Sequence, residues 1–155
     1  MRILTPEKRK FVEETAKTCE QMFGLSRMAG RIWAVLLIAD KEFLSSDELM
    51  ECVGASRGSV STLARMLEGI GLIKRVSVHG DRKHYYRAAD SESIIQAELA
   101  STKTFIQLMT VGIKAAGKEG TESRKRLSEF RDLMQFFADE YASLVERWYN
   151  QKEKA

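Results

Sequence analysis

Proline is nearly absent: Pro6 is the only one in 155 residues. Proline removes a backbone donor and clashes with the preceding turn, so a chain this poor in it can hold long uninterrupted helices. Cysteine is scarce as well, and Cys19 and Cys52 are far apart in the chain. That is neither a disulfide framework nor a zinc-ligand spacing. Histidine occurs only as His79 and His84, both beside the predicted wing turn, which argues against a hydrolytic triad, and a metal site would need further ligands. The longest wholly apolar run is Ile32 to Ala39, well short of the ~20 residues of a membrane-spanning helix. The first residues, Met1-Arg2-Ile3-Leu4-Thr5-Pro6-Glu7-Lys8, turn charged at once and lack the apolar stretch of a secretory signal. There is no H-E-x-x-H, no G-x-S-x-G and no glycine-rich phosphate loop; Gly69-Ile70-Gly71 lacks the third glycine. These absences lead to an expectation of a soluble cytoplasmic protein that is not an enzyme, with no cofactor, metal site or membrane partner.

What is present is a globular composition, with 44% hydrophobic and 30% charged residues. The formal net charge is +3, and it is unevenly placed. Residues 56–88 carry seven Lys and Arg against two Asp and Glu. Residues 90–155 carry ten against eleven. A basic excess confined to the middle of a chain is the footprint expected for a polyanion partner.

Apolar periodicity and capping residues divide the chain. Thr5 and Pro6 open a helix with apolar residues at Phe11, Val12, Ala16, Cys19, Met22 and Phe23, which Gly24 ends. Ser26 caps a second helix to about Ala39, apolar on most sides. Ser45 followed by Glu48 is a capping box opening a short helix over about 46–53, with Leu49, Met50 and Val53 facing inward. Gly54-Ala55-Ser56 is a turn, and Ser56 caps a further helix to about Gly69. Residues 72–78 and 84–88 then read as two strands of a hairpin around a turn at 79–83. Two long helices follow, about 91–116 and 122–150, separated at Gly117 and Gly120. In the last one Phe130, Phe137 and Leu144 recur every seven residues, a stripe that needs covering by this chain or by a second copy.

Short helix, turn, helix and hairpin over 46–88 make a helix-turn-helix with a wing. The helix after the turn has two faces. Val60, Leu63, Leu67 and Ile70 form the expected buried stripe. The other face carries Arg57, Gly58, Ser59, Ser61, Thr62 and Arg65, with no acid before Glu68. Small polar groups with two arginines can approach a duplex closely. Arginine can bond guanine bidentately, and serine and threonine can reach phosphates or base edges. Gly58 costs helix stability, by about 1 kcal/mol relative to alanine in a helix interior, which points to something approaching the backbone there. Arg82 and Lys83 stand at the wing tip, and Lys74 and Arg75 extend the basic strip. The candidate DNA-binding set is Ser56, Arg57, Gly58, Ser59, Ser61, Thr62, Arg65, Lys74, Arg75, Arg82 and Lys83. Each piece also has an ordinary reading: a solvated helix face, a common Gly-Asp turn, an Arg57 that simply pairs with an acid. Their coincidence in one stretch favours nucleic acid. Cys19 and Cys52, on apolar helix faces, read as buried inert thiols rather than redox sensors.

The segments Gly24-Leu25-Ser26-Arg27-Met28-Ala29-Gly30-Arg31-Ile32, Ser56-Arg57-Gly58-Ser59-Val60-Ser61, Leu72-Ile73-Lys74-Arg75 and Gly80-Asp81-Arg82-Lys83-His84-Tyr85-Tyr86 resemble the GbsR-type branch of the MarR-like winged helix-turn-helix regulators, over about residues 6–150. The resemblance implies a homodimeric bacterial transcription factor, usually a repressor, with its second motif helix in the major groove and the wing beside it. Some members of that branch respond to choline-like ligands. Such ligands need an aromatic cage, and Trp33, Tyr85, Tyr86, Phe105, Tyr141 and Trp148 supply aromatics without any pattern that joins them.

The expected fold is mainly α with a small β-hairpin wing. It is a single domain over 1–155, with a DNA-reading core at 24–89 and helical dimerisation arms at 1–23 and 90–155. The expected function is a sequence-specific, dimeric transcriptional regulator, a repressor on an inverted-repeat operator in double-stranded DNA, with room for release by a small-molecule effector of unknown identity. The alternative is a winged-helix adaptor that contacts protein and never DNA.

Overall fold

The computed structural model of the chain describes residues 4–152. Residues 1–3, where the charged N-terminal stretch begins, and 153–155 lie outside them. The elements run α1 (Pro6–Phe23), α2 (Arg27–Ile38), β1 (Leu44–Ser45), α3 (Ser46–Val53), α4 (Arg57–Gly69), β2 (Ile73–Val76), β3 (Tyr85–Ala88), α5 (Ser91–Ala115) and α6 (Thr121–Lys152). The chain forms two compact units, Met1–Ile94 and Ile95–Ala155.

In the first unit, four helices begin at the caps their sequences announce. The hydroxyls of Thr5, Ser26, Ser45 and Ser56 accept the backbone N–H groups of Lys8, Ala29, Glu48 and Ser59 at 3.2–3.3 Å. Each cap of this kind contributes about 1 kcal/mol. At α3 the box closes, because Glu48 accepts the Ser45 N–H in return at 2.8 Å. The Lys41 ammonium, 2.5 Å away, and that backbone donor together hold the Glu48 carboxyl down to about 2.

The face of α1 formed by Val12, Ala16 and Cys19 is buried. It lies so close to α2 that a Cβ on Gly30 would come within 2.7 Å of the Ala16 Cα. Phe11, Met22 and Phe23, apolar members of the same helix, stay exposed. The core gathers Val12, Ile32, Val35, Leu49, Val60, Leu67 and Ile73, each no more than 1% exposed. Burial at that level contributes about 1.5–3 kcal/mol for each large aliphatic side chain. Cys19 and Cys52 are buried, and burial pushes both thiols above their ordinary value. That agrees with inert packing.

The wing is larger than a hairpin. Its sheet has the order β1-β3-β2, all antiparallel. The third strand, Leu44–Ser45, pairs Leu44 with Tyr86 and Ser45 with Tyr85. In sequence these residues read only as the entry to α3. The Ser46 N–H continues the pairing, donating to the His84 carbonyl at 2.9 Å, so the start of α3 is stitched to the base of the wing. The paired strands are shorter than expected, and residues 77–84 form the connecting loop.

In the second unit, α5 and α6 are joined through Gly117, whose φ of 64° suits glycine. Phe105 and Phe130 stack at 5.5 Å, and Gly112 faces Leu127. No residue described in α5 is buried. Phe130, Phe137 and Leu144, the seven-residue stripe, are 43–52% exposed.

Candidate nucleic-acid interface

Two helices meeting at a tight turn bring α4 to the surface. Gly54 takes the left-handed conformation, φ 69° and ψ 37°, and its N–H closes onto the Met50 carbonyl at 2.9 Å. Val60, Ala64 and Leu67 anchor α4 in the core. Leu63 is half-buried, and Ile70 is 48% exposed. The helix ends at Gly69, so Ile70 caps it instead of extending its buried stripe, and Ala64 takes a place in that stripe.

The opposite face carries the candidate residues of this helix. Ser56, Arg57, Gly58, Thr62 and Arg65 are exposed, while Ser59 and Ser61 are half-buried. The first turn of α4 carries no acid, which leaves the partial positive charge of the helix N-terminus unopposed by its own side chains. No atom lies within 4 Å of where a Cβ would stand on Gly58, so internal packing does not demand glycine there.

The wing loop is shaped by Asp81. It accepts the Lys83 N–H at 2.9 Å and the Tyr85 hydroxyl at 2.7 Å, and these donors hold its carboxyl below the usual range. Tyr85 in turn stacks edge-on against Phe43 at 5.3 Å. Arg82 and Lys83 are exposed on this loop. Among the described residues, Arg65 and Arg82 form no ion pair.

The remaining cations are engaged. Arg57 donates to Asp47 at 2.6 Å, and Lys83 lies 3.4 Å from the other oxygen of the same carboxylate. Arg75 contacts a ring nitrogen of His84 at 2.5 Å. Lys74 and Arg87 both reach Asp90, at 3.3 and 3.0 Å. Asp90 also accepts from the backbone and hydroxyl of Ser93 at the start of α5, and those bonds hold it well below the usual carboxylate range. Lys74 is therefore committed to the base of the wing, apart from the loop that carries Arg82 and Lys83. Asp47 was not among the sequence candidates. Nothing in the local pattern marks it, because its partners lie ten and thirty-six residues away.

Among the described residues no cluster of His, Cys, Asp or Glu is arranged to hold a metal ion, and no helix is long and apolar enough to cross a membrane. The aromatics considered for a cage have separate surroundings within each unit. Tyr86 is in the core, Phe105 packs on Phe130, and Tyr141 and Trp148 line one small cavity with Ile95, Leu144 and Val145.

Comparison with known proteins gives the family of the chain. A family described as MmpR5-like MarR family transcriptional regulators matches residues 91–151. The HTH-type transcriptional regulator MmpR5 of Mycobacterium tuberculosis (strain ATCC 25618 / H37Rv) is 36% identical over 92% of this chain and 87% of its own length. A crystal structure of a transcriptional regulator superimposes with a TM-score of 0.84 at 33% identity, covering 94% of this chain and 99% of the other. The MarR-like likeness of the sequence motifs holds at the level of the family, and these relatives are regulators rather than adaptors. The chain belongs to the MmpR5-like MarR family of transcriptional regulators.

Proposed function

We propose that this DNA-binding regulator acts as a homodimeric repressor. In this reading α4 enters the major groove of an inverted-repeat operator, and the 77–84 loop lies along the flanking backbone. The observation that carries it is the exposed, acid-free face of α4 beside a loop that presents Arg82 and Lys83. Arg57 and Arg65 are the base-reading candidates. Ser56, Ser59, Ser61 and Thr62 serve phosphates and base edges, and Gly58 gives close approach. Lys74 and Arg75 contribute positive potential from the strip behind the loop. The GbsR-type likeness of the motifs belongs to this proposal too, as does release by a small-molecule effector.

The domain reading is part of the same proposal: residues 24–89 read DNA, and 1–23 with 90–155 build the dimer. Its support is exposed apolar surface that one chain leaves uncovered. Phe11, Met22 and Phe23 remain outside on α1, as do Phe130, Phe137 and Leu144 on α6. A two-fold dimer would set its two reading helices about one turn of DNA apart, roughly 34 Å, which calls for a pseudo-palindromic site.

The test is selection of duplexes from a random pool at moderate salt, followed by binding to the selected and a shuffled duplex. An inverted repeat should emerge, with binding that weakens steeply as salt rises. No enrichment over the shuffled duplex sinks the reading. Phe137→Glu should convert the dimer to monomer in sedimentation and abolish enrichment, and an unchanged dimer removes α6 from the proposed interface. For the effector, candidate ligands should raise the melting temperature by mass action while releasing the duplex.

A further inference from the structure

Ala89 and Asp90 alone join the last wing strand to α5, the helix that begins in the first unit and continues in the second. Between Gly80 and Gly112 the chain has neither glycine nor proline, so no residue of this junction has glycine's backbone freedom. The Ala89 N–H donates to the Leu72 carbonyl at 3.0 Å, and the Ile94 N–H to the Asp90 carbonyl at 3.1 Å. Asp90 divides its carboxylate between the two sides. Oδ1 accepts the Ser93 N–H at 2.9 Å and the Ser93 hydroxyl, which caps α5. Oδ2 takes Lys74 from β2 at 3.3 Å and Arg87 from β3 at 3.0 Å. Serine or asparagine would cap the helix about as well, but neither offers an anionic oxygen to two cations. The second oxygen is surplus to capping, and it ties both strands of the wing base to the start of the helix.

We propose that Asp90 is a positioning residue for DNA recognition: it stiffens the junction between the wing and α5, and so narrows the half-site spacing that the dimer accepts. This rests on the dimer reading above, in which 90–155 pair with a second copy while 24–89 meet the duplex. Asp90 touches no DNA in this role. It acts through the sheet that carries the wing loop and through the helix that leads to the dimer arm. One base pair inserted at the operator centre moves a half-site by about 3.4 Å along the duplex and about 35° around it. A dimer follows that displacement only by bending between its reading units and its arms. The ties from Lys74 and Arg87 to Asp90 resist bending at the one place where the chain passes from wing to arm.

The test compares the selected inverted repeat with duplexes that have one or two base pairs added or removed at its centre. Asp90→Asn keeps the cap and removes the charge. The affinity lost on changing the spacing should shrink roughly two- to fivefold for each ion pair removed, while the loss on mutating one half-site stays as it was. Lys74 and Arg87, once freed, attract every duplex alike, so they cancel in the ratio between spacings. A merely structural defect would weaken binding at all spacings together and leave that ratio unchanged. Lys74→Gln with Arg87→Gln should reproduce the broader spacing profile, and Asp90→Asn added to that pair should broaden it no further. Glu92→Gln makes the same charge change on an exposed residue of the first turn of α5 and should leave the profile alone. Melting by circular dichroism checks the fold, and Asp90→Ser repeats the measurement if the asparagine variant melts early. An unchanged profile in Asp90→Asn, or an equal broadening in Glu92→Gln, overturns the role of Asp90 and leaves the dimer reading standing. Selection that returns single half-sites, or a spacing profile already flat before any substitution, removes the dimer reading, and Asp90 falls with it.

Discussion

Gly58→Ala separates folding from recognition, because the two effects carry opposite signs. Gly58 is the second residue of α4, does not have a positive φ, and has nothing within 4 Å of the position of an added Cβ. Alanine therefore fits the folded chain without strain and restricts the unfolded one. In a helix interior the gain approaches 1 kcal/mol; in a first turn about 0.5 kcal/mol is the reasonable figure. For a chain of this size that raises the melting temperature by about 1–2 °C. If a duplex backbone or base edge comes against Gly58, the same methyl occupies contact space. Affinity should then fall by about tenfold, the equivalent of ~1.4 kcal/mol. The assays are thermal unfolding followed by circular dichroism and fluorescence anisotropy on the selected duplex. A stabilised protein that binds worse cannot owe its defect to misfolding, which gives the experiment its force. Unaltered affinity would place Gly58 away from the duplex and refute the docking of α4. A lower melting temperature would refute the open space around it.

Gly30→Ala should do the reverse of Gly58→Ala. Its Cβ would meet the Ala16 Cα at 2.7 Å and the Cys19 Cβ at 3.2 Å, so α1 must shift; overpacking costs about 1–3 kcal/mol against a helix-propensity gain of about 1. A fall in melting temperature of up to ~8 °C is expected, and a rise would contradict the close crossing of α1 and α2. Glu48, held at about 2 by Lys41 and the Ser45 N–H, binds its proton more weakly folded than unfolded. Its contribution is present above the ordinary carboxylate value and is lost as pH falls from about 5 towards 2. Lys41 is 67% exposed, so solvent screening reduces that contribution to about 1 kcal/mol. Glu48→Gln, which can keep the capping bond, should cost that much at pH 7 in urea unfolding and flatten the acid limb of the stability curve. Parallel acid limbs for the two proteins would rule this out.

Local chemistry was the legible part of this fold. Thr5, Ser26, Ser45 and Ser56 each bond a backbone N–H three residues on, a relation contained within four letters of sequence. The helix boundaries followed to within a residue or two for the same reason. What sequence did not reveal depends on separation. β1 is two residues long, below any periodic signal, and exists because the returning strand β3 has a free edge on that side. Ile70 continued the apolar period of α4, but the helix stopped one residue earlier. Whether a wing cation is free or spent is equally non-local. Lys74 and Lys83 look alike in the chain, yet one is tied to Asp90 at the base of the sheet and the other shares Asp47 with Arg57.

The apolar stripe of α6 marks a different boundary. Its seven-residue repeat was readable, and so was its need for cover, but within one chain Phe130, Phe137 and Leu144 keep about half their surface. In the proposed dimer the stripe would be covered by the second copy, and each α4 would engage one half-site of the operator. Losing the dimer should therefore weaken recognition far more than removing any one side chain of the reading face, because every contact is halved and the cost of ordering each half-site is met separately.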